Sequence, residues 1–201
     1  MQAPLGGKPV KAEFVISAGR PDQFPADGLP EIAFLGRSNV GKSSLLNCLV
    51  GESGLAFTSS KPGCTQVVNF YRVEDRVQFV DLPGYGYARV PKEIKGQWQQ
   101  LIEQYLLHRK ALQTCFLILD ARRGWMEKDI ELKNWLEFHN RRYVVIATQT
   151  DKLKTQKERL HGMSAIRSNS ETEPLQFSAV ECRGAREIWQ AIWNITKKNP
   201  S

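Results

Sequence analysis

A three-layer α/β fold, with helices on both faces of a six- or seven-stranded and mostly parallel sheet, is predicted for this chain by two patterns. Short apolar runs that read as strands alternate along most of the sequence with longer segments of helical periodicity, the order that crossover connections between parallel strands require. Several runs end directly in polar or glycine-bearing turns, and open sheets of this kind bind ligands at the carboxyl ends of their strands. With 201 residues, 41% of them apolar, the chain can bury one substantial core. A single domain over residues 11–198 is expected, preceded by a tail at residues 1–10 whose small residues and paired glycines give it little to pack.

In order, strands are predicted at residues 13–17, 31–35, 67–72, 77–81, 115–120, 143–148 and 175–177. Residues 44–50 continue as a helix from the turn after the second strand. Over residues 93–110, Ile94, Trp98, Leu101, Ile102 and Tyr105 share one helical face, and near the carboxyl end Ile188, Ile192 and Ile195 do the same. Thr155 followed by Glu158 fits a reciprocal cap opening another helix, and Pro200 ends the last one.

Composition removes several classes of function. No stretch approaches the roughly eighteen apolar residues of a membrane span, and the first residues lack the apolar segment of a secretory signal, so a soluble, cytoplasmic protein is expected. Cys48, Cys64, Cys115 and Cys182 are scattered, without the CxxC spacing of zinc or redox sites or the density of a disulfide scaffold; reduced structural thiols are expected. His108, His139 and His161 have no partners at metal-ligand spacing. A net charge of +7 favours a polyanionic partner such as RNA.

The second strand runs into Gly36-Arg37-Ser38-Asn39-Val40-Gly41-Lys42-Ser43, which meets the phosphate-loop pattern G-x-x-x-x-G-K-[ST] at every position and enters a helix at Ser44. Glycines let the backbone wrap a phosphate with its N–H groups inward, and the helix behind adds its positive end. Lys42 is expected to reach the β- and γ-phosphates, and the Ser43 hydroxyl to ligate Mg2+.

A phosphate loop alone does not separate kinases, ATPases and GTPases. After the fourth strand comes Asp81-Leu82-Pro83-Gly84, where the carboxylate can hold a magnesium-bound water and the glycine N–H can meet the γ-phosphate. After the sixth comes Thr148-Gln149-Thr150-Asp151, in the place of an [NT]-K-x-D turn. An ionised Asp151 accepts two hydrogen bonds, matching the N1–H and amino group of guanine, whereas adenine offers no such pair of donors. The last strand ends in Phe177-Ser178-Ala179, whose N–H groups are placed to bind the guanine O6 oxygen. Between these elements a polar loop holds Thr58, Gly63, Cys64 and Thr65; either threonine can close over the nucleotide by giving its hydroxyl to magnesium and its N–H to the γ-phosphate.

Over residues 12–196 the chain resembles the EngB family of bacterial GTP-binding proteins, in the translation-factor-like class of P-loop GTPases. The resemblance is carried by the string from Pro30 to Asn47, by Lys61-Pro62-Gly63-Cys64-Thr65-Gln66, and by Asp81-Leu82-Pro83-Gly84-Tyr85-Gly86-Tyr87-Ala88. It implies a GTPase switch in assembly of the large ribosomal subunit, needed for normal division and septation, and it favours Thr65 over Thr58. Lys42, Thr65 and Gly84 are then the residues expected at the reacting phosphate, and Asn39 the place where some relatives hold K+ beside the phosphates. Gln149 departs from the family, where lysine is usual, and predicts modest nucleotide affinity. Tyr85 follows Gly84 where Ras-like proteins carry a water-orienting glutamine, which predicts slow unaided hydrolysis. The rival readings are a P-loop kinase or ATPase acting on a small metabolite, which would not need Asp151, and a membrane- or septum-associated protein.

Overall fold

The computed structural model describes residues 10–51, 67–85 and 92–197, without the side chains of 92–98. Seven strands form one sheet: β1 (Ala12–Ala18), β2 (Glu31–Gly36), β3 (Val68–Val73), β4 (Val77–Asp81), β5 (Leu112–Asp120), β6 (Tyr143–Thr148) and β7 (Leu175–Gln176). Their spatial order is β1-β3-β4-β2-β5-β6-β7. The β1–β3 and β3–β4 pairs are antiparallel, and all the pairs from β4 onward are parallel. All seven predicted strands are present. The helices are α1 (Lys42–Val50), α2 (Lys92–His108), α3 (Glu127–Phe138), α4 (Gln156–Arg167) and α5 (Ala185–Lys197).

Alternation along the strands divides the core into two layers. Ile32 and Phe34 of β2, Phe79 of β4, Phe116 and Ile118 of β5 and Ile146 of β6 face one side, where Leu45 and Leu49 of α1 and Ile188, Trp189 and Ile192 of α5 cover them. Ala33, Leu35, Val80, Leu117, Leu119 and Ala147 face the other, under Tyr105 of α2, Leu136 of α3 and Met163 and Ile166 of α4. The central strand β2 is buried along its whole length because it is covered on both faces. Trp189 donates its indole N–H to the Leu49 carbonyl (3.1 Å), pinning α5 to the end of α1. The predicted cap is formed: Glu158 N–H donates to Thr155 Oγ1 (3.1 Å) and Thr155 N–H to Glu158 Oε2 (3.3 Å).

β1 is an edge strand with a bulge, its register slipping between Phe14 and Ile16. The extra residue breaks strict alternation, so that Val15 and Ile16 both pack on the second layer.

Three expectations need correction or qualification. Val10, assigned to the tail, is buried in the first layer. Cys48 and Cys182, expected as free thiols, form a disulfide across 134 residues of sequence, with their Cα atoms 6.0 Å apart. The sheet brings α1 and the β7–α5 loop together, a proximity that linear spacing does not encode. Cys115 is a buried free thiol, its ionisation pushed up to about 12 by burial. Pro200, read as the end of the last helix, lies outside the described residues, as do Thr58, Gly63, Cys64 and Thr65.

Candidate nucleotide site

The carboxyl ends of β2, β4, β5 and β6 lie side by side, and each delivers one functional turn. The phosphate loop follows β2. Gly41 takes φ +98° and Asn39 φ +64°, so the loop turns through left-handed conformations before α1 begins. A side chain on Gly36 would stand 2.8 Å from Val40 Cγ1 and 3.2 Å from the Ile118 carbonyl; the strand end has no room for one. At the start of α1, Lys42 pairs with Asp81 from the end of β4, both nearly buried. Ser43 and Ser44 occupy the first turn of the same helix.

The turn after β4 closes directly onto the phosphate loop. Ser38 N–H donates to the Tyr85 carbonyl (3.4 Å), and a Cβ on Gly84 would lie 2.9 Å from Ser38 Oγ and 3.1 Å from Ser38 N. Leu82 is fully buried in the second layer, its N–H donating to the Phe34 carbonyl (3.3 Å), with Pro83 between it and Gly84. The Tyr85 hydroxyl donates to Asp129 Oδ1 (2.8 Å) at the start of α3, and Met126 N–H donates to Asp129 Oδ2 (3.0 Å). Burial raises the Asp129 carboxyl despite these bonds, and burial together with the neighbouring carboxylate pushes the Tyr85 phenol far above its ordinary range. The phenol is committed to Asp129.

The turn after β6 is tied to the same loop. The buried Thr148 hydroxyl lies 2.6 Å from the Val40 carbonyl and 2.9 Å from that of Leu119. Gln149, at φ +58°, donates its amide to the Asn39 carbonyl (3.2 Å). Thr150 Oγ1 donates to the Phe177 carbonyl (3.0 Å), and Asp151 accepts from Ser178 Oγ (2.9 Å). Phe177, Ser178 and Ala179 were each expected to offer an N–H to a base. Two are already used, since Phe177 N–H donates to Ala147 (2.8 Å) and Ser178 N–H to Arg183 (3.0 Å). Strand pairing and the turn into α5 consume them; Ala179, exposed, is the one of the three whose N–H has no partner among the described residues.

A cleft of about 330 Å³ opens beside the phosphate loop, lined by Arg37, Asn39, Asp120, Arg122, Gln149 and Lys152 among others. Sequence reasoning passed over Asp120, Arg122, Asp129 and Lys152. Arg122 is fixed to Asp120 by its backbone N–H (3.0 Å), Nε (3.0 Å) and Nη2 (2.6 Å). Burial alone would raise the Asp120 carboxyl, but these bonds hold it below the usual carboxylate range. The Asp120-x-Arg122 spacing at a strand end was the available signal, and no general motif flags it.

The site fits a nucleotide with a hard cation: left-handed turns at a helix start, a lysine, and two oxygen donors, Ser43 and Asp81, at the place where β4 ends and α1 begins. Fold and phosphate loop thus define a P-loop nucleotide-binding protein. A family model described as "50S ribosome-binding GTPase" matches residues 31–149. A "Probable GTP-binding protein EngB" of Solibacter usitatus is 62% identical over 183 residues, covering 91% of this chain and 95% of the relative. Its Bacillus subtilis counterpart is 42% identical over 188 residues, covering 92% and 96%. Among solved structures, a probable GTP-binding protein EngB superposes with a TM-score of 0.66 at 22% identity, over 84% of this chain and all of that one. Era, solved with MgGDPNP and nucleotides 1506–1542 of 16S ribosomal RNA, superposes at 0.65 with 25% identity, over 83% of this chain and 56% of its own. The chain belongs to the EngB family of GTP-binding proteins. Among the described residues, no helix is long and apolar enough to cross a membrane, and no three acidic, cysteine or histidine side chains cluster as a metal site.

Proposed function

We propose that this protein is a slow GTPase whose nucleotide state controls its binding to the large ribosomal subunit or its rRNA during assembly, a step needed for normal division and septation. The observation that carries the reading is the direct seam between the phosphate loop and the turn after β4, Ser38 against Gly84 and Tyr85. A phosphate bound by the first loop meets the second at once, which is the coupling a switch requires. The family model's description, the ribosomal RNA in the Era structure and the charge of +7 support the choice of partner.

In this reading the backbone from Gly36 to Ser44 cradles the phosphates and Lys42 moves from Asp81 to the β- and γ-phosphates. Ser43 and Thr65 hold Mg2+, with Asp81 acting through a water, and Gly84 N–H faces the γ-phosphate. Bound there, the cation neutralises charge that builds between the β- and γ-phosphates. Asn39 is the position for K+. Gly63, Cys64 and Thr65 contribute to nucleotide binding, while Asp151 reads the N1–H edge of guanine and Ala179 N–H its O6. Because the Tyr85 phenol is held by Asp129, it is not free to orient an attacking water, and unaided turnover stays within the roughly 10⁻⁴ to 10⁻² per second of switches lacking a partner. The protein works as a cytoplasmic monomer, its GTPase domain running over residues 11–198.

Co-sedimentation with purified ribosomal subunits tests the reading. Binding to the large subunit in a non-hydrolysable GTP analogue should exceed binding in GDP, and should fall at least about tenfold between about 50 and 200 mM salt. Equal pelleting in both nucleotides would remove the switch. Equal affinity for ATP and GTP would instead favour a P-loop kinase or ATPase.

A further inference from the structure

We infer that Arg122 is a nucleotide-binding residue of this chain, supplying from the β5 end the cationic contact that its base-reading turn, with the neutral Gln149, does not carry. The inference rests on the guanine-nucleotide reading of the site. Gln149 Oε1 accepts from Arg122 Nη2 (2.9 Å) and from Lys152 Nζ (2.7 Å), so both lone pairs of that oxygen are used, while its amide holds the Asn39 carbonyl of the phosphate loop. Gln149 therefore acts as a bracket: it ties the base turn to the phosphate loop and steers two cations to the seam between them.

The two cations are not equivalent. Lys152 is an exposed, flexible side chain held at one point. Arg122 is fixed by three hydrogen bonds to Asp120, whose residue pairs with Thr148 in the β5–β6 register, and by a fourth, from the same Nη2, to Gln149. A planar guanidinium held in this way loses little freedom on binding a ligand. Its Nη1 hydrogens have no partner among the described residues, and the side chain, 41% exposed, lines the cleft beside Asn39. Those hydrogens suit the oxygens of a nucleoside diphosphate seated across the phosphate and base loops.

A double-mutant cycle on the full chain tests this, with the Kd for fluorescent GDP as readout and thermal melting as the fold control. Arg122→Ala should weaken GDP by about tenfold or more, the loss of one charge-assisted contact. Gln149→Lys alone should not tighten binding, because the new ammonium would sit between Arg122 and Lys152. The double variant should recover to within about threefold of the parent, since the lysine then replaces the missing charge. Arg122→Lys, which keeps the charge without the fork, should fall between. Unchanged affinity in a folded Arg122→Ala, or a double variant no better than Arg122→Ala, would overturn the inference. If Arg122→Ala does not fold, an Arg122→Lys as tight as the parent does so. Competition of GDP against ADP on the parent chain checks the base reading separately: absence of a guanine preference sinks that reading and leaves the Arg122 measurement standing.

Discussion

Asp151 takes its hydrogen bond from a hydroxyl, that of Ser178 in the turn after β7, with the Arg122 charge near enough to act on it. Removing that bond with Ser178→Ala should weaken GTP and GDP several-fold, as the net worth of one hydrogen bond to a charged group implies, and leave any affinity for ATP unchanged. Nucleotide competition checks it; a parallel loss for ATP would mean that the serine supports the fold and not the base reader. Tyr85→Phe tests the other end of the site. It leaves the buried Asp129 with one donor fewer and should lower stability by about 1–3 kcal/mol in urea unfolding. At this scale the sequence singles out residues whose type is tied to a motif, such as Lys42 and Asp151, and the structure pairs them with Asp81 and Ser178 from other turns. The sequence said nothing of Arg122, whose partners are 2 and 27 positions away and meet only once β5 and β6 are paired.

The strands were legible throughout because their apolar runs are long and both faces of the sheet are covered. The helix α3 was not, for an equally physical reason: its wholly buried side chains are Leu136 and the charged Asp129, with Leu132 and Trp135 only half covered, so no clear apolar stripe shows in the sequence. Elements also carry the polar burden of the core. Glu31, fully buried at the start of β2, accepts from Arg109 Nε and Nη2 and from the Tyr105 hydroxyl at the carboxyl end of α2. Burial raises the Glu31 carboxyl, and Arg109 and Tyr105 only partly offset it. A carboxyl raised in the folded state binds its proton more tightly there than in the unfolded chain. Its stabilising contribution is thus present below the unfolded pKa and is lost as pH rises through the folded one. Arg109→Ala removes the main offset and should cost about 3–5 kcal/mol near neutral pH. The deficit should shrink as the pH is lowered through the carboxylate range, where Glu31 enters the fold neutral. Denaturant midpoints of parent and variant at several pH values check this, and a pH-independent difference would exclude Glu31 as its source.

At the scale of the molecule, the disulfide joins α1, the helix behind the phosphate loop, to the segment that leads from β7 into α5. Closing a loop of 134 residues limits the unfolded chain, so reduction should lower stability by about 2–4 kcal/mol, with Cys48→Ser reproducing the change. Guanidinium unfolding with and without reductant measures it, and identical midpoints would show that the pair is open in solution. The architecture was readable from the alternation of strands and helices, whereas this cross-link was not, because it depends on which helices share a face. The bulge in β1 bears on a different property, the tendency of identical molecules to add to one another. β1 is the long edge of the sheet, with Phe14 49% exposed on it, and a flat edge of that kind invites a second copy to extend the ladder. The slip between Phe14 and Ile16 breaks the run of evenly spaced backbone donors and acceptors, and Lys11 and Glu13 place charges at its start. Colloidal solubility thus resides partly in a single extra residue: deleting Val15 would straighten the edge and should show as concentration-dependent light scattering from a chain that still folds.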